Sequence, residues 1–511
     1  MSNKTPNYTF CRYKPSCLVE GFFFSLSMEK NQQLKKEIGL LDASMIVIGS
    51  MIGSGIFIVS ADVTRNLGSP GYLLLTWIIT GIITLISALS YGELAGMMPN
   101  AGGQYVYLRE AYNPLVGFLF GWTTFLVIET GTIAAVAVAF AKYTGVLLPD
   151  LINDQPFLGF FSTQQFLAIA LIAFLTFINL KGVKNAKIVQ LIFTVTKIGA
   201  LLGLAVVGII VGLNPDKGVW AINAIDFWSP VKIIWEKGKI MDYEYLSGIG
   251  LWSAVGLALI GPLFSSSAWN NVTYIAGEMK NPKRDIPLSL LYGTLTVSAL
   301  YILANVAYLM LLPVQGHPNA PDTLSRGIMF ATNDRVGTAA AEMIFGNPAA
   351  IIMAVFIMIS TFGCNNGIIL SGARVYYAMA KNGLFFKKAG EINKNGVPGF
   401  SLIIQGVWAS LLCLSGTYGD LLDYTVFSIL VFYIMTIGGV FILRKKQPDT
   451  PRPYKAFGYP LIPAIYLIFA AGLCINLLIY KPIPSWAGVG IVALGIPVFY
   501  IWKKMEKKTE E

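Results

Sequence analysis

The sequence predicts an all-α polytopic membrane protein of twelve transmembrane helices. The first ten form two inverted five-helix repeats, and helices 1 and 6 are discontinuous. Three observations carry this reading. The chain has 511 residues, of which 55% are hydrophobic and only 13% charged, whereas soluble proteins carry about 25% charged residues. It divides into about twelve apolar runs of ~17–30 residues, each long enough to cross a bilayer as a helix. Two of these runs, five spans apart, are interrupted near their middles by glycine and serine.

The runs cover approximately 39–65, 69–98, 114–148, 164–180, 187–213, 247–278, 286–313, 343–380, 400–416, 419–443, 459–480 and 484–502. They are numbered here as spans one to twelve. The short connections leave little room for a soluble catalytic domain. The net charge of +10 reads as topology rather than nucleic-acid binding, because basic residues mark cytoplasmic loops. With the N-terminus inside, Lys181, Lys184 and Lys187 fall inside, as do Lys280, Lys283 and Arg284. Lys381, Lys387, Lys388 and Lys394 follow, then Arg444, Lys445, Lys446, Arg452 and Lys455, then Lys503, Lys504, Lys507 and Lys508. The opposite loops hold Asp150 and Asp154, or Asp420 and Asp423, and the 214–246 loop is mixed. The expected location is the plasma (inner) membrane, multi-pass, with both termini cytoplasmic.

Residues 1–38 form the cytoplasmic N-terminal segment. Within it, 1–27 mix Pro, Asn, Cys and the run Phe22–Phe24 without periodicity. The apolar stretch Leu18–Leu26 is too short to span and lacks a small-residue cleavage pattern. Met28 and its polar, basic lead resemble an ordinary start, so 1–27 is expected to be a disordered extension. Insertion and transport by a chain beginning at Met28 test this. Residues 39–213 form the first repeat, 214–246 an extracellular loop, 247–443 the second repeat, and 444–511 spans eleven and twelve with a cytoplasmic tail.

Cys364, Cys413 and Cys474 lie singly in apolar runs and read as packing residues, while Cys11 and Cys17 lie in the N-terminal segment. The one histidine, His317, falls in an outer loop. Nothing has metal-ligand spacing or forms a Ser-His triad, so no metal, other cofactor or enzymatic centre is expected.

Span one carries GSMIGSGIF, Gly49 to Phe57. From Leu40 to Gly53 is about 20 Å at ~1.5 Å per residue, well inside a hydrocarbon core ~30 Å thick. Backbone groups unpaired at that depth cost several kcal/mol each unless protein, ligand or water satisfies them. If the helix unwinds at Gly53, Ser54 and Gly55, the helix that restarts presents N–H groups and the positive end of its dipole to a cavity. That is a carboxylate receptor made of backbone. The structural alternative is helix packing through a Gly49–Gly53 GxxxG face. Span six holds the second break, GPLFSSSAWNN, Gly261 to Asn271. An odd offset between interrupted spans is the pointer to an inverted-repeat transporter with its substrate between the two breaks. Carbonyls from Phe264 to Ser267 can accept from an ammonium, and Phe264 can cover a ligand. The hydroxyls of Ser265 and its neighbours either bond the ligand or cap freed backbone. Together the breaks suit an α-amino acid.

Lys197, in FTVTKIGALLGL of span five, lies about 15 Å into the membrane past Lys187. At that depth it costs roughly 2.5–3.5 kcal/mol and must face the interior, towards carbonyls freed by the first break. It is either a coupling group that loses its proton or a fixed ammonium that tethers two helices. Glu129, in LVIETGTIAAV of span three, either relays protons or is a protonated packing group. Thr132, one turn on, is small and polar enough to line a pocket.

At these residues the chain resembles the amino acid–polyamine–organocation superfamily, and within it the L-type amino acid transporter branch. The resemblance runs from Asp42 to the end of span twelve. It is carried by GSMIGSGIF, YGELAGMMPNAGGQYVYLREAYNPLVGFLFGW, NAKIVQLIFTVTKIGALL, FSSSAWNNVTYIAGEMKNPKRDIP, NNGIILSGARVYYAMAKNGLF and RPYKAFGYPLIP. The resemblance implies a LeuT-like fold and alternating access. It implies that a substrate carboxylate meets the amides of Gly53, Ser54 and Gly55, and that the amine meets carbonyls of Met51, Phe264 and Ser267. Phe264 matches the family's aromatic gate. Lys197 matches the lysine that takes the place of a sodium ion, with Ser360 and Cys364 of span eight near its reach. Two departures matter. Ser267 stands where the L-type pattern usually has glycine, which shrinks the pocket and favours smaller side chains. The loop near 149–163 lacks the cysteine through which animal members join a single-span heavy subunit. No disulfide-linked heavy subunit is therefore expected, as for bacterial members.

The expected function is sodium-independent transport of small neutral L-amino acids, by exchange or proton symport. Alternatives are a cationic amino acid or polyamine carrier, a nutrient sensor or channel of the same fold, and a membrane enzyme.

Overall fold

The computed structural model describes residues 34–157, 161–236, 239–414 and 418–510. The expected extension 1–27, Met28, Cys11 and Cys17 lie outside the described residues. The chain is a multi-pass helical membrane protein. Among the described residues, ten helices are long and apolar enough to cross a membrane. Span one is absent from that set because it is divided into Leu40–Met51, a 3-10 turn Gly55–Phe57 and Val59–Leu67. Span nine is absent because Gly399–Leu412 is only 14 residues long.

Local chemistry sets the helix ends. Proline opens Pro70–Met97, Pro114–Thr123 and Pro282–Leu311, where its missing N–H costs nothing. Ser162 and Gln165 form a capping box at the head of Thr163–Leu180, satisfying two orphan donors reciprocally. Tyr418–Lys446 runs beyond the 443 boundary, ending on Arg444, Lys445 and Lys446, which complement the negative end of its dipole.

Span five shows how sequence becomes packing. In Val183–Gly212 the buried positions are Ala186, Gln190, Thr194, Lys197, Leu201, Leu204 and Gly208, among others. They recur at helical spacing and form one stripe. Ile188, Ile192, Val195, Leu202 and Val206 are exposed on the other side. Gln190, Thr194 and Lys197 thus face protein, while the side away from it is mainly apolar. Span five packs on spans one, seven and eight, and span seven also packs on spans one and two.

Two features depart from an all-α chain. Pro156–Phe157 pairs with Phe161–Ser162, and Val231–Glu236 pairs antiparallel with Lys239–Tyr245. Both lie in connections between spans, where the backbone need not be satisfied within one helix. In the longer hairpin Ile233 packs with Met329 and Phe330. A short helix, Gln104–Ala111, follows span two, and span three contains a π turn, Thr124–Ile128.

The last two spans are fastened to the rest. Glu93, near the C-terminal end of span two, is 1% exposed. It accepts from Arg444 Nε at 2.9 Å and Nη2 at 2.6 Å, Arg452 Nε at 3.2 Å and the Ala456 N–H at 2.7 Å. Trp122 Nε1 of span three donates to Ile491 O of span twelve at 3.1 Å.

Candidate functional site

Span one loses its helix at Ile52, whose backbone is extended at φ −76° and ψ 96°. The carbonyls released there are met by side chains from three other spans. Lys197 Nζ donates to Gly49 O at 2.6 Å, to Ile52 O at 2.7 Å and to Ser360 O at 3.1 Å. An ammonium has three N–H donors and no acceptor, so all three find carbonyl oxygens. Ser360 Oγ lies 3.0 Å from both Ile52 O and Gly53 O. Cys364 Sγ donates to Ser50 O at 3.0 Å. Tyr301 OH lies 3.0 Å from both Met51 O and Ser265 O, which joins the two breaks. In this arrangement Lys197 ties spans one, five and eight together.

The amide side of the turn is different. Among the described residues, neither Gly53 nor Gly55 gives its N–H to a backbone carbonyl. The two glycines also differ from Gly49. A Cβ on Gly49 would lie 2.0 Å from Gln190 Nε2 and 2.2 Å from Thr194 Oγ1, so Gly49 serves packing against span five. A Cβ on Gly55 would lie 2.0 Å from Ser265 Oγ, so Gly55 is what lets the two breaks touch. A Cβ on Gly53 would meet only Cys364 Sγ, at 3.4 Å. The GxxxG pair therefore divides: its first member is a packing residue and its second lies at the break.

In span six, Gly248–Ala258 and Ile260–Ser265 end in an irregular segment before Asn271–Tyr274. Ala268 there has φ +65°, a left-handed conformation that a residue with a Cβ rarely adopts, and such strain collects at functional sites. The Ser265 hydroxyl donates to Gly261 O at 2.9 Å and Thr132 Oγ1 to Ile128 O at 2.6 Å. Both hydroxyls are engaged within their own helices.

The eight residues predicted as substrate contacts come together. Met51, Gly53, Ser54, Gly55, Thr132, Phe264, Ser265 and Ser267 all line one small cavity, with Ala268 and Cys364. Lys197 and Ser360 stand behind its span-one wall through the bonds above. Glu129 is not part of it and faces a small neighbouring chamber. Thr132, Ser267 and Ala268 border both spaces. Phe264 also borders a third small cavity, on the side of Thr84, Ser87 and Tyr466.

Tyr301 was not singled out from the sequence, although a signal was present. Tyr301, Asn305 and Tyr308 recur at i, i+4 and i+7 on span seven, which marks one buried polar face. Ser60 Oγ donates to Asn305 Oδ1 at 2.6 Å, and Tyr308 OH to Ile56 O at 3.4 Å, so that face lies along span one. Ala268, Asn270 and Asn271 carried no comparable signal, because their roles depend on how the broken segment folds back.

Similarity to known proteins gives the family. A family model described as amino acid permease matches residues 38–501. The mouse (Mus musculus) large neutral amino acids transporter small subunit 2 is 33% identical over 470 residues, covering 92% of this chain and 81% of that protein. The serine/threonine exchanger SteT of Bacillus subtilis (strain 168) is 31% identical over 476 residues, covering 92% and 98%. The mouse Asc-type amino acid transporter 1 is 29% identical over 481 residues, covering 93% and 83%. These relatives are transporters, not enzymes.

Proposed function

The chain belongs to the amino acid permease family, and from that premise we propose that it is a sodium-independent secondary carrier of small neutral L-amino acids. It works by alternating access, as an exchanger or a proton-coupled symporter. It sits in the plasma (inner) membrane with both termini in the cytoplasm and needs no disulfide-linked heavy subunit. Its architecture in this reading is LeuT-like: twelve spans, with the first ten in two inverted repeats.

The observation that carries the reading is the shared cavity between the two breaks, lined by all eight expected contacts. The amides of Gly53, Ser54 and Gly55 hold the carboxylate, since N–H groups at a helix start favour an anion. The amine goes to carbonyls of the span-six break at Phe264 and Ser267 and to Met51 O, which has a second lone pair besides the one facing Tyr301. Phe264 covers the ligand. Ser267 in place of a glycine narrows the pocket, and one relative carries the name serine/threonine exchanger. The ammonium of Lys197 already sits among three carbonyls, which supports sodium independence: a fixed cation occupies the carbonyl cluster that a metal ion would need.

The test is counterflow. The purified full chain in proteoliposomes loaded with unlabelled serine should accumulate external labelled serine saturably. Uptake that ignores both the internal load and competing amino acids would sink the proposal. Uptake driven by internal amino acid alone, without any response to a pH gradient, assigns exchange over symport.

A further inference from the structure

The turn after span eight meets the end of span twelve at one corner of the bundle. Span eight is the helix Ala349–Lys381, span nine begins at Gly399, and span twelve is Pro482–Glu510. Phe385 and Phe386 precede the 3-10 turn Lys387–Gly390 between the first two. Phe386 stands edge-on to Trp502 of span twelve at 5.1 Å and to Phe400 of span nine at 6.5 Å. Phe385 stacks on Trp502 at 6.3 Å, with 13° between the ring planes. At these separations aromatic pairs attract beyond what their burial contributes.

The cluster is only partly covered. Phe385 is buried, but Phe386 is 46% exposed and Phe400 36%. In span nine, Phe400, Ile403, Val407 and Leu411 are exposed, and their spacing places them in one stripe along the helix. In span twelve, Leu494, Ile496, Tyr500 and Ile501 are exposed. Two apolar faces therefore lead along their spans to one set of rings.

Unpaired positive charge lies beside those rings. Lys387 and Lys388 follow Phe386, Lys503 and Lys504 follow Trp502, and all four are exposed. Among the described residues none of the four forms an ion pair with an acid. Other basic residues are engaged within the protein: Lys187 pairs with Asp42, Lys446 donates to Ala111 O, and Arg444 and Arg452 hold Glu93. Trp502, Lys503 and Lys504 also lie beyond residues 38–501, which the family model matches.

We propose that this corner binds an anionic phospholipid. Its headgroup phosphate lies among Lys387, Lys388, Lys503 and Lys504, and its acyl chains run along the exposed faces of spans nine and twelve. Aromatic rings collect at headgroup level in membrane proteins, and basic clusters beside spanning helices attract anionic headgroups. Lysine stems lie along apolar surface while their ammonium groups reach the headgroup. A soluble anion shares the phosphate chemistry but makes no use of the rings or the apolar faces. A lipid held here bridges the turn after span eight to span twelve, whatever amino acid the chain carries.

The purified full chain in detergent is titrated with short-chain phosphatidylglycerol, with the matching phosphatidylcholine and with inorganic phosphate, and its melting temperature is followed. A ligand that binds the folded chain raises that temperature with concentration. Phosphatidylglycerol alone should do so, saturably. Lys387→Gln, Lys388→Gln, Lys503→Gln and Lys504→Gln combined should raise the half-maximal concentration at least about tenfold, since each basic residue near an anionic surface contributes roughly fivefold. The same four positions changed to Arg keep the charge and should retain the response, which separates lost binding from misfolding. Phe386→Ala removes a ring and no charge, and should also raise the half-maximal concentration. A control with Lys181→Gln, Lys184→Gln, Lys283→Gln and Arg284→Gln, exposed in other connections, should respond as wild type. An equal response to phosphatidylcholine or inorganic phosphate overturns the proposal, as does an equal loss in both glutamine variants. So does a phosphatidylglycerol response unchanged by the first variant. A chain that elutes as a dimer until Phe386 is replaced, and ignores phosphatidylglycerol, assigns these faces to a second copy and overturns the lipid.

Discussion

Lys197 Nζ sits 2.7 Å from the carbonyl oxygen of Ile52, the residue at which span one stops being a helix. The same nitrogen holds Gly49 O and Ser360 O, so one ammonium spans spans one, five and eight. Lys197→Met deletes all three bonds and leaves buried carbonyls with fewer donors. Hydrogen bonds to charged groups contribute ≈ 1.5–3 kcal/mol each, and their loss is not additive. The variant should lose at least about tenfold in serine counterflow, with a lower melting temperature in detergent. Wild-type values for both would show that the tether is dispensable.

Gly55 should not tolerate a methyl group. Its Cβ would lie 2.0 Å from Ser265 Oγ and 2.8 Å from Ser265 Cβ, and overpacking of this kind costs about 1–3 kcal/mol. Gly55→Ala should abolish uptake. Adding Ser265→Gly removes both clashing atoms and should restore part of it. Gly53→Ala meets only Cys364 Sγ at 3.4 Å and should fold as wild type, judged by a monodisperse elution profile. Equal misfolding of both alanine variants would contradict the distinction.

Tyr301→Phe removes the hydroxyl that touches both Met51 O and Ser265 O. The ring remains, packed edge-on against Trp77 at 5.2 Å, so folding should survive. Half-saturation for serine should rise by about tenfold, corresponding to ~1.4 kcal/mol. An unchanged value would mean that the two breaks hold their spacing without this bond.

Ser267→Gly should enlarge the accepted side chain. Ser267 borders all three cavities around the breaks, and one methylene in a pocket is worth about 10- to 200-fold in discrimination. In a competition panel against labelled serine, leucine and methionine should gain by at least about tenfold relative to alanine. An unaltered rank order would place the size filter elsewhere.

Arg374 and Glu278 are both 0% exposed and lie 2.9 Å apart. Removing one partner strands a buried charge, at a cost of about 3–5 kcal/mol. Arg374→Met should sharply lower the melting temperature, and adding Glu278→Gln should recover part of the loss. A double variant less stable than the single one would contradict this.

Much of the site was legible because the membrane makes errors expensive. Glycines and serines in the middle of an apolar run stand out, and both breaks occur where GSMIGSGIF and GPLFSSSAWNN put them. Lys197 was legible for the same reason: a charge at that depth needs partners, and the freed carbonyls were the nearest ones. Tyr301 was harder to see, since a tyrosine in an apolar helix is also an ordinary packing residue, and only its alignment with Asn305 and Tyr308 separates the two. The Glu129 chamber was not legible. One of its walls, Gln104, comes from a short helix after span two whose placement depends on tertiary packing. The hairpin of Val231–Glu236 and Lys239–Tyr245 lies between spans and obeys no membrane constraint, so composition alone left it as a loop.

The four donors around Glu93 have a consequence for how the chain is made. Glu93 leaves the ribosome early, whereas Arg452 and the Ala456 N–H come after span ten. Domains assemble as they are synthesised, N-terminal parts first, so this corner stays open until the final stretch arrives. A nascent chain halted before Arg452 leaves a half-answered acid there. The late segment thus acts as the clasp that closes the bundle.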